Sequence, residues 1–98
     1  MRLTRAAIAG TLESSDIQVT LRPQEGGVTV ELDSVVKAQF GEAIEQTVRQ
    51  TLEEFEIKEA YVQLQDKGAL DCVIKARVQC AICRACDIVY NWAREDAQ

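Results

Sequence analysis

Ninety-eight residues suffice for one hydrophobic core and are too few for two. Apolar residues make up 47% and charged residues 28%, and sixteen acids against eleven bases give a net charge of −5. That balance disfavours nucleic acid, whose phosphates ask for neutralisation, and the absence of histidine removes the usual base of a hydrolytic triad.

No G-x-S-x-G elbow occurs, and no apolar run approaches the roughly 18–20 residues of a membrane span. The opening MRLTRAAIAGTL is broken by Thr11 and ended by Glu13, so it does not read as a signal peptide. The expected setting is the cytoplasm.

AAIAGTL is a short strand candidate with Ala6, Ile8, Gly10 and Leu12 on one face, followed by Glu13, Ser14, Ser15 and Asp16 as a turn. DIQVTLR (16–22) and VTVELD (28–33) alternate strictly, as half-buried strands do. Between them PQEGG, with Pro23, Gly26 and Gly27, has the composition of a hairpin connection.

From Val35 to about Phe55 the period becomes helical. Val36, Phe40, Ala43, Ile44, Thr47, Val48, Thr51, Leu52 and Phe55 form one stripe, and Asp33 or Ser34 is the expected N-cap. AYVQLQ is a fourth strand, DKG a turn, and a second helix is expected from about Ala69 to Cys86, with 87–98 a tail. The order β-β-β-α-β-α predicts an α+β fold: a small mixed sheet of about four strands with both helices on one face.

Four cysteines lie in the last helix: Cys72, Cys80, Cys83 and Cys86. At about 100° per residue they fall within an arc of about 120°, which suits a soft contact strip better than a tetrahedral metal site. Leu70, Ile74, Val78 and Ile82 take the opposite, core-facing side. Disulfides are not expected in a reducing cytoplasm. A metal or redox module built on these cysteines is one alternative reading.

LDSVV (32–36) resembles the site where ordinary acyl carrier proteins accept phosphopantetheine, which makes Ser34 a second alternative; the plainer reading is a helix cap. Glu53, Glu54, Glu56 and Glu59 read as a solvated acidic surface, usable as a docking patch. ESSD (13–16) is by itself a polar turn whose exposed tip would tolerate an adduct.

AGTLESSD, QFGEAI and DKGALDCVIKARV, in that order from about Ala9 to Ala85, closely resemble the citrate lyase acyl carrier family; the malonate decarboxylase carrier is similar in plan but more distant. The resemblance implies a non-catalytic carrier bearing phosphoribosyl-dephospho-CoA through a phosphodiester on the serine after the glutamate of G-T-L-E-S. Here that is Ser14, with Ser15 as the alternative. It further implies an acetyl or citryl thioester on the arm, cleavage of citrate to oxaloacetate and acetate, and four partners. These are the lyase alpha and beta subunits, a prosthetic-group transferase and an acetate ligase that charges the thiol. Neither nucleic acid nor membrane is among them.

Overall fold

The computed structural model describes residues 2–86; the expected tail at 87–98 lies outside the described residues. The elements are β1 (Ala7–Gly10), β2 (Ile17–Arg22), β3 (Val28–Ser34), α1 (Lys37–Glu54), β4 (Ala60–Asp66) and α2 (Asp71–Ala85). This is the expected α+β order, and the helix ends fall within two residues of those read from periodicity.

The strand order β1-β2-β4-β3 departs from the simplest reading of PQEGG. β2 and β3 are not a hairpin: β4 lies between them, antiparallel to β2 and parallel to β3. A β3–α1–β4 crossover returns the chain parallel to β3, and pairing on the inner side of β3 fills the slot next to β2. The loop from Pro23 to Gly27 therefore steps over one strand. Gln24 Nε2 donates to the Gly27 and Ala60 carbonyls, Ala60 N–H donates to Gly27 O at 3.1 Å, and Gly26 N–H donates to Glu59 Oε2 at 2.9 Å.

Alternation decides the core. Ile17, Val19 and Leu21 of β2 and Ala60, Val62 and Leu64 of β4 are buried together with Ile44, Val48 and Leu52 of α1 and Ile74, Val78 and Ile82 of α2. The helices pack against each other on one face, α1 over β3 and α2 over β1 and β2. The outward positions Gln18, Thr20, Gln63 and Gln65 are polar, as a one-sided sheet requires.

In β1 the apolar phase is the reverse of what size implies. Ala9 pairs with Val19 and Ala7 with Leu21, so the two alanines face the core while Ile8 points away and is exposed, as is Leu12 beyond the strand. Small residues fit here because α2 crosses β1 closely: Thr4 and Arg5 N–H groups both donate to Ala85 O. Phe40 and Ala43, read as part of the α1 stripe, are exposed too. α1 begins three residues after the sheet ends, so its first turns overhang the core. Among the described residues no helix is long and apolar enough to cross a membrane.

Candidate functional site

The connection between β1 and β2 is a tight turn over Glu13–Asp16, closed by Asp16 N–H donating to Glu13 O at 3.2 Å. Ser14 and Ser15 occupy its two corners, both exposed. Ser15 takes a φ of 66°, the left-handed conformation that type II turns need at their second corner and that non-glycine residues adopt at a cost. Among the described residues neither serine hydroxyl has a hydrogen-bond partner.

The turn is anchored on three sides. Ser15 N–H donates to Lys67 O at 2.8 Å and Lys67 N–H donates to Asp16 O at 2.9 Å, which extends the β2–β4 pairing into the loops. Thr11 Oγ1 accepts from Glu13 N–H at 3.2 Å. The Asp16 carboxylate accepts from Thr11 Oγ1 at 2.7 Å, Ile17 N–H at 2.7 Å, and Arg77 of α2 through Nε at 3.1 Å and Nη2 at 2.8 Å. The guanidinium first, then the threonine hydroxyl, holds the Asp16 carboxyl well below the usual carboxylate range, and the same contact raises Arg77. Gly10 has a φ of 90°, and a Cβ there would collide with the Ile17 carbonyl and crowd Arg77 Cδ. Its absence lets β1 end and Arg77 reach the turn.

Ser34, the rival acceptor, lies at the same end of the sheet and is differently engaged. It is the last residue of β3, paired with Asp66, so the helix cannot start there; the N-cap is Val36, with no side-chain cap. The expected cap at Asp33 or Ser34 is thus corrected by the length of the parallel ladder. The Ser34 hydroxyl accepts from Val36 N–H at 3.1 Å and donates to Asp66 Oδ2 at 2.7 Å. Asp66 is 1% exposed, and its Oδ1 accepts from Ala69 N–H at 3.0 Å. This hydroxyl ties β3 and β4 to the loop entering α2.

The cysteines divide. Cys72 is exposed, whereas Cys80, Cys83 and Cys86 are half-buried, and Cys80 and Cys86 pack on the core edge. Burial first, with the nearby Cys83 as a smaller cause, raises the Cys86 thiol. Among the described residues no group of three or more His, Cys, Asp or Glu side chains could hold a metal ion. Leu70, assigned to the apolar side, precedes α2 and is exposed. Glu53, Glu54, Glu56 and Glu59 are exposed, and Glu54 meets Lys75 at 3.3 Å.

Sequence reading missed Arg77 and Asp66 as site-building residues. Asp66 did carry a signal: it continues the inward phase of Ala60, Val62 and Leu64, where a carboxylate needs partners. Arg77 carried none, because only the packing of α2 over β1 brings it to Asp16.

Leu12, Val35 and Leu70 lie at the same end of the sheet as the turn. These exposed apolar side chains come from three loops that meet at Asp66 and Lys67, where Val35 N–H donates to Asp66 O.

An acyl carrier (ACP) family model described as "Malonate decarboxylase delta subunit (MdcD)" matches residues 4–85. The chain is similar to the citrate lyase acyl carrier protein of Vibrio cholerae serotype O1 (strain M66-2), 54% identical over 89 residues, covering 90% of this chain and 91% of that one. It is also similar to the citrate lyase acyl carrier protein of Haemophilus influenzae (strain PittGG), 51% identical over 92 residues, covering 94% and 96%. Among solved structures, a chain of a Pseudomonas malonate decarboxylase hetero-tetramer in complex with malonate shares the fold, with a TM-score of 0.75 at 16% identity over 87% of this chain and 88% of that one. The serine turn therefore sits on the scaffold of a carrier and not of a catalytic subunit, and the chain belongs to the acyl carrier family that includes the citrate lyase carriers.

Proposed function

We propose that the chain, as one carrier domain over 1–98, is the acyl carrier subunit of a citrate lyase and is modified at Ser14 with phosphoribosyl-dephospho-CoA. The observation that carries this reading is the exposed Ser14 hydroxyl, without a partner among the described residues, on a turn anchored to both β4 and α2. A phosphodiester needs such an oxygen with open space in front of it, and Ser14 meets both needs while Ser34 meets neither.

Once attached, the arm supplies a terminal thiol that holds the acyl group as a thioester while citrate is cleaved to oxaloacetate and acetate. The residues of the chain do no bond chemistry of their own in that cycle. Ser14 holds one end of the arm. Asp16, Thr11 and the Lys67 backbone keep that end from wandering, so the tethered group samples its partners' sites at high effective concentration.

The partners in this reading are the lyase alpha and beta subunits, the transferase that loads the arm and the ligase that charges its thiol, all in the cytoplasm. Exposed Leu12, Val35 and Leu70 at the turn's end of the sheet suit a surface covered inside such an assembly, and the fold's occurrence in a hetero-tetramer supports the same view.

The test is intact mass of the protein from its native host, followed by fragmentation of the tryptic peptide Ala6–Lys37, which the Arg22–Pro23 bond leaves whole. An addition of the size of the arm on Ser14 is expected. A bare peptide in active lyase, or an arm on Ser34, would overturn the assignment.

A further inference from the structure

Ser14 and Ser15 are neighbours with the same functional group and are both exposed, so reactivity alone cannot choose between them. A hairpin turn, moreover, needs none of the anchoring seen here. The Asp16 carboxylate takes four hydrogen bonds, two of them from Arg77, 61 residues away in the second turn of α2. A two-pronged carboxylate–guanidinium contact fixes orientation as well as distance. The side chains are 13% and 39% exposed, so the pair is partly shielded on the aspartate side. On the opposite flank Ser15 N–H is held by Lys67 O while Ser15 keeps its left-handed φ. The turn is thereby held differently on its two sides: the backbone of Ser15 is pinned to β4's exit loop, and the side chain of Asp16 to α2.

We propose that the Asp16–Arg77 clamp determines which serine is modified, holding the turn in the single conformation in which the transferase takes Ser14 and leaves Ser15. Arg77 and Asp16 are positioning residues; neither touches the incoming group. The inference rests on the reading of Ser14 as the attachment point. In the loading step the serine Oγ forms a P–O bond to the phosphoryl group of a triphosphate-ester donor, diphosphate departs, and the hydroxyl proton passes to a base on the transferase. An in-line attack of this kind tolerates little misplacement, and an error of about 1 Å can cost roughly a hundredfold in rate. Freeing the turn blurs the distinction between two adjacent hydroxyls.

The test loads the full-length wild type, Arg77→Met, Arg77→Lys and Asp16→Asn with purified transferase and its donor. It measures the loading rate and the Ser14:Ser15 ratio by fragmentation of Ala6–Lys37. Val48→Ala, in α1, is the control for a fold weakened elsewhere. The expected result is modification of Ser14 alone in the wild type and in Val48→Ala. In Arg77→Met and Asp16→Asn, loading should slow by roughly ten- to a hundredfold with a measurable share moving to Ser15. Arg77→Lys should fall between, since lysine keeps the charge and loses the fork; it also carries the test if Arg77→Met does not fold. A folded Arg77→Met (or Arg77→Lys in its place) loaded on Ser14 alone at the wild-type rate would overturn the clamp, as would an equal shift to Ser15 in Val48→Ala. Wild type found bare or loaded on Ser15 would overturn the Ser14 reading itself.

Discussion

Ser14 and Ser34 lie at one end of the molecule, each next to an acid in sequence, and their hydroxyls are engaged in opposite ways. Ser14 sits beyond the sheet on a turn whose backbone is bound and whose hydroxyl has no partner among the described residues. Ser34 sits in the last rung of the β3–β4 ladder, its hydroxyl both donating and accepting. Two short serine-containing motifs, ESSD and LDSVV, thus give a turn with a free hydroxyl and a joint. A serine can serve as an attachment point when neighbouring groups have taken over its structural duties. Here Asp16, Thr11 and Lys67 do so for Ser14, whereas nothing does so for Ser34.

Ser14→Ala should break the comparison most sharply. The adduct and lyase activity disappear while the stability change stays within about 0.5 kcal/mol, because an exposed turn hydroxyl carries little of the fold. Intact mass, a coupled citrate assay and a thermal melt read the three quantities together. A variant that kept its activity would remove Ser14 from the mechanism.

Asp66→Ala should show the reverse. It strips the Ser34 hydroxyl and Ala69 N–H of their acceptor, at a cost of about 2–4 kcal/mol in denaturant unfolding. Ser34→Ala, which leaves a buried carboxylate oxygen short of one donor, should cost less, about 1–3 kcal/mol, and keep the arm. A melt unchanged in both would mean that the joint contributes nothing.

The smallest expected effect is on pH dependence, and it belongs to the turn. The folded-state pKa of Asp16 lies below its unfolded value, so the clamp's stabilisation is present above about pH 4 and is lost as pH falls through the folded pKa. Stability of Asp16→Asn should therefore fall less steeply than that of the wild type below about pH 4. Parallel acid-unfolding curves would show that the ion pair does not favour the folded state.

Much of this organisation was legible from residue order. Period-two alternation in DIQVTLR and VTVELD, and the helical stripe through Ile44, Val48 and Leu52, depend on local geometry and on which residues avoid water, so they identified their elements. The turn at Glu13–Asp16 was readable for the same reason, because Ser and Asp satisfy nearby backbone. The proposal of Ser14 as the attachment point came from resemblance, not from spacing.

What pattern alone misplaced shares a single cause. PQEGG carries the local marks of a hairpin, yet β4, returning through α1 parallel to β3, pairs between β2 and β3. Ile8 and Phe40 are large and apolar but face outward, because Ala7 and Ala9 admit the close approach of α2 and because α1 overhangs the sheet. The sequence by itself determined the elements, the one-sided core and an exposed serine turn. Tertiary structure alone decided the placing of β4 between β2 and β3, the joining of Asp16 to Arg77 and the engagement of Ser34 by Asp66. Each of these unites residues 32 or more positions apart, and no local periodicity encodes such contacts.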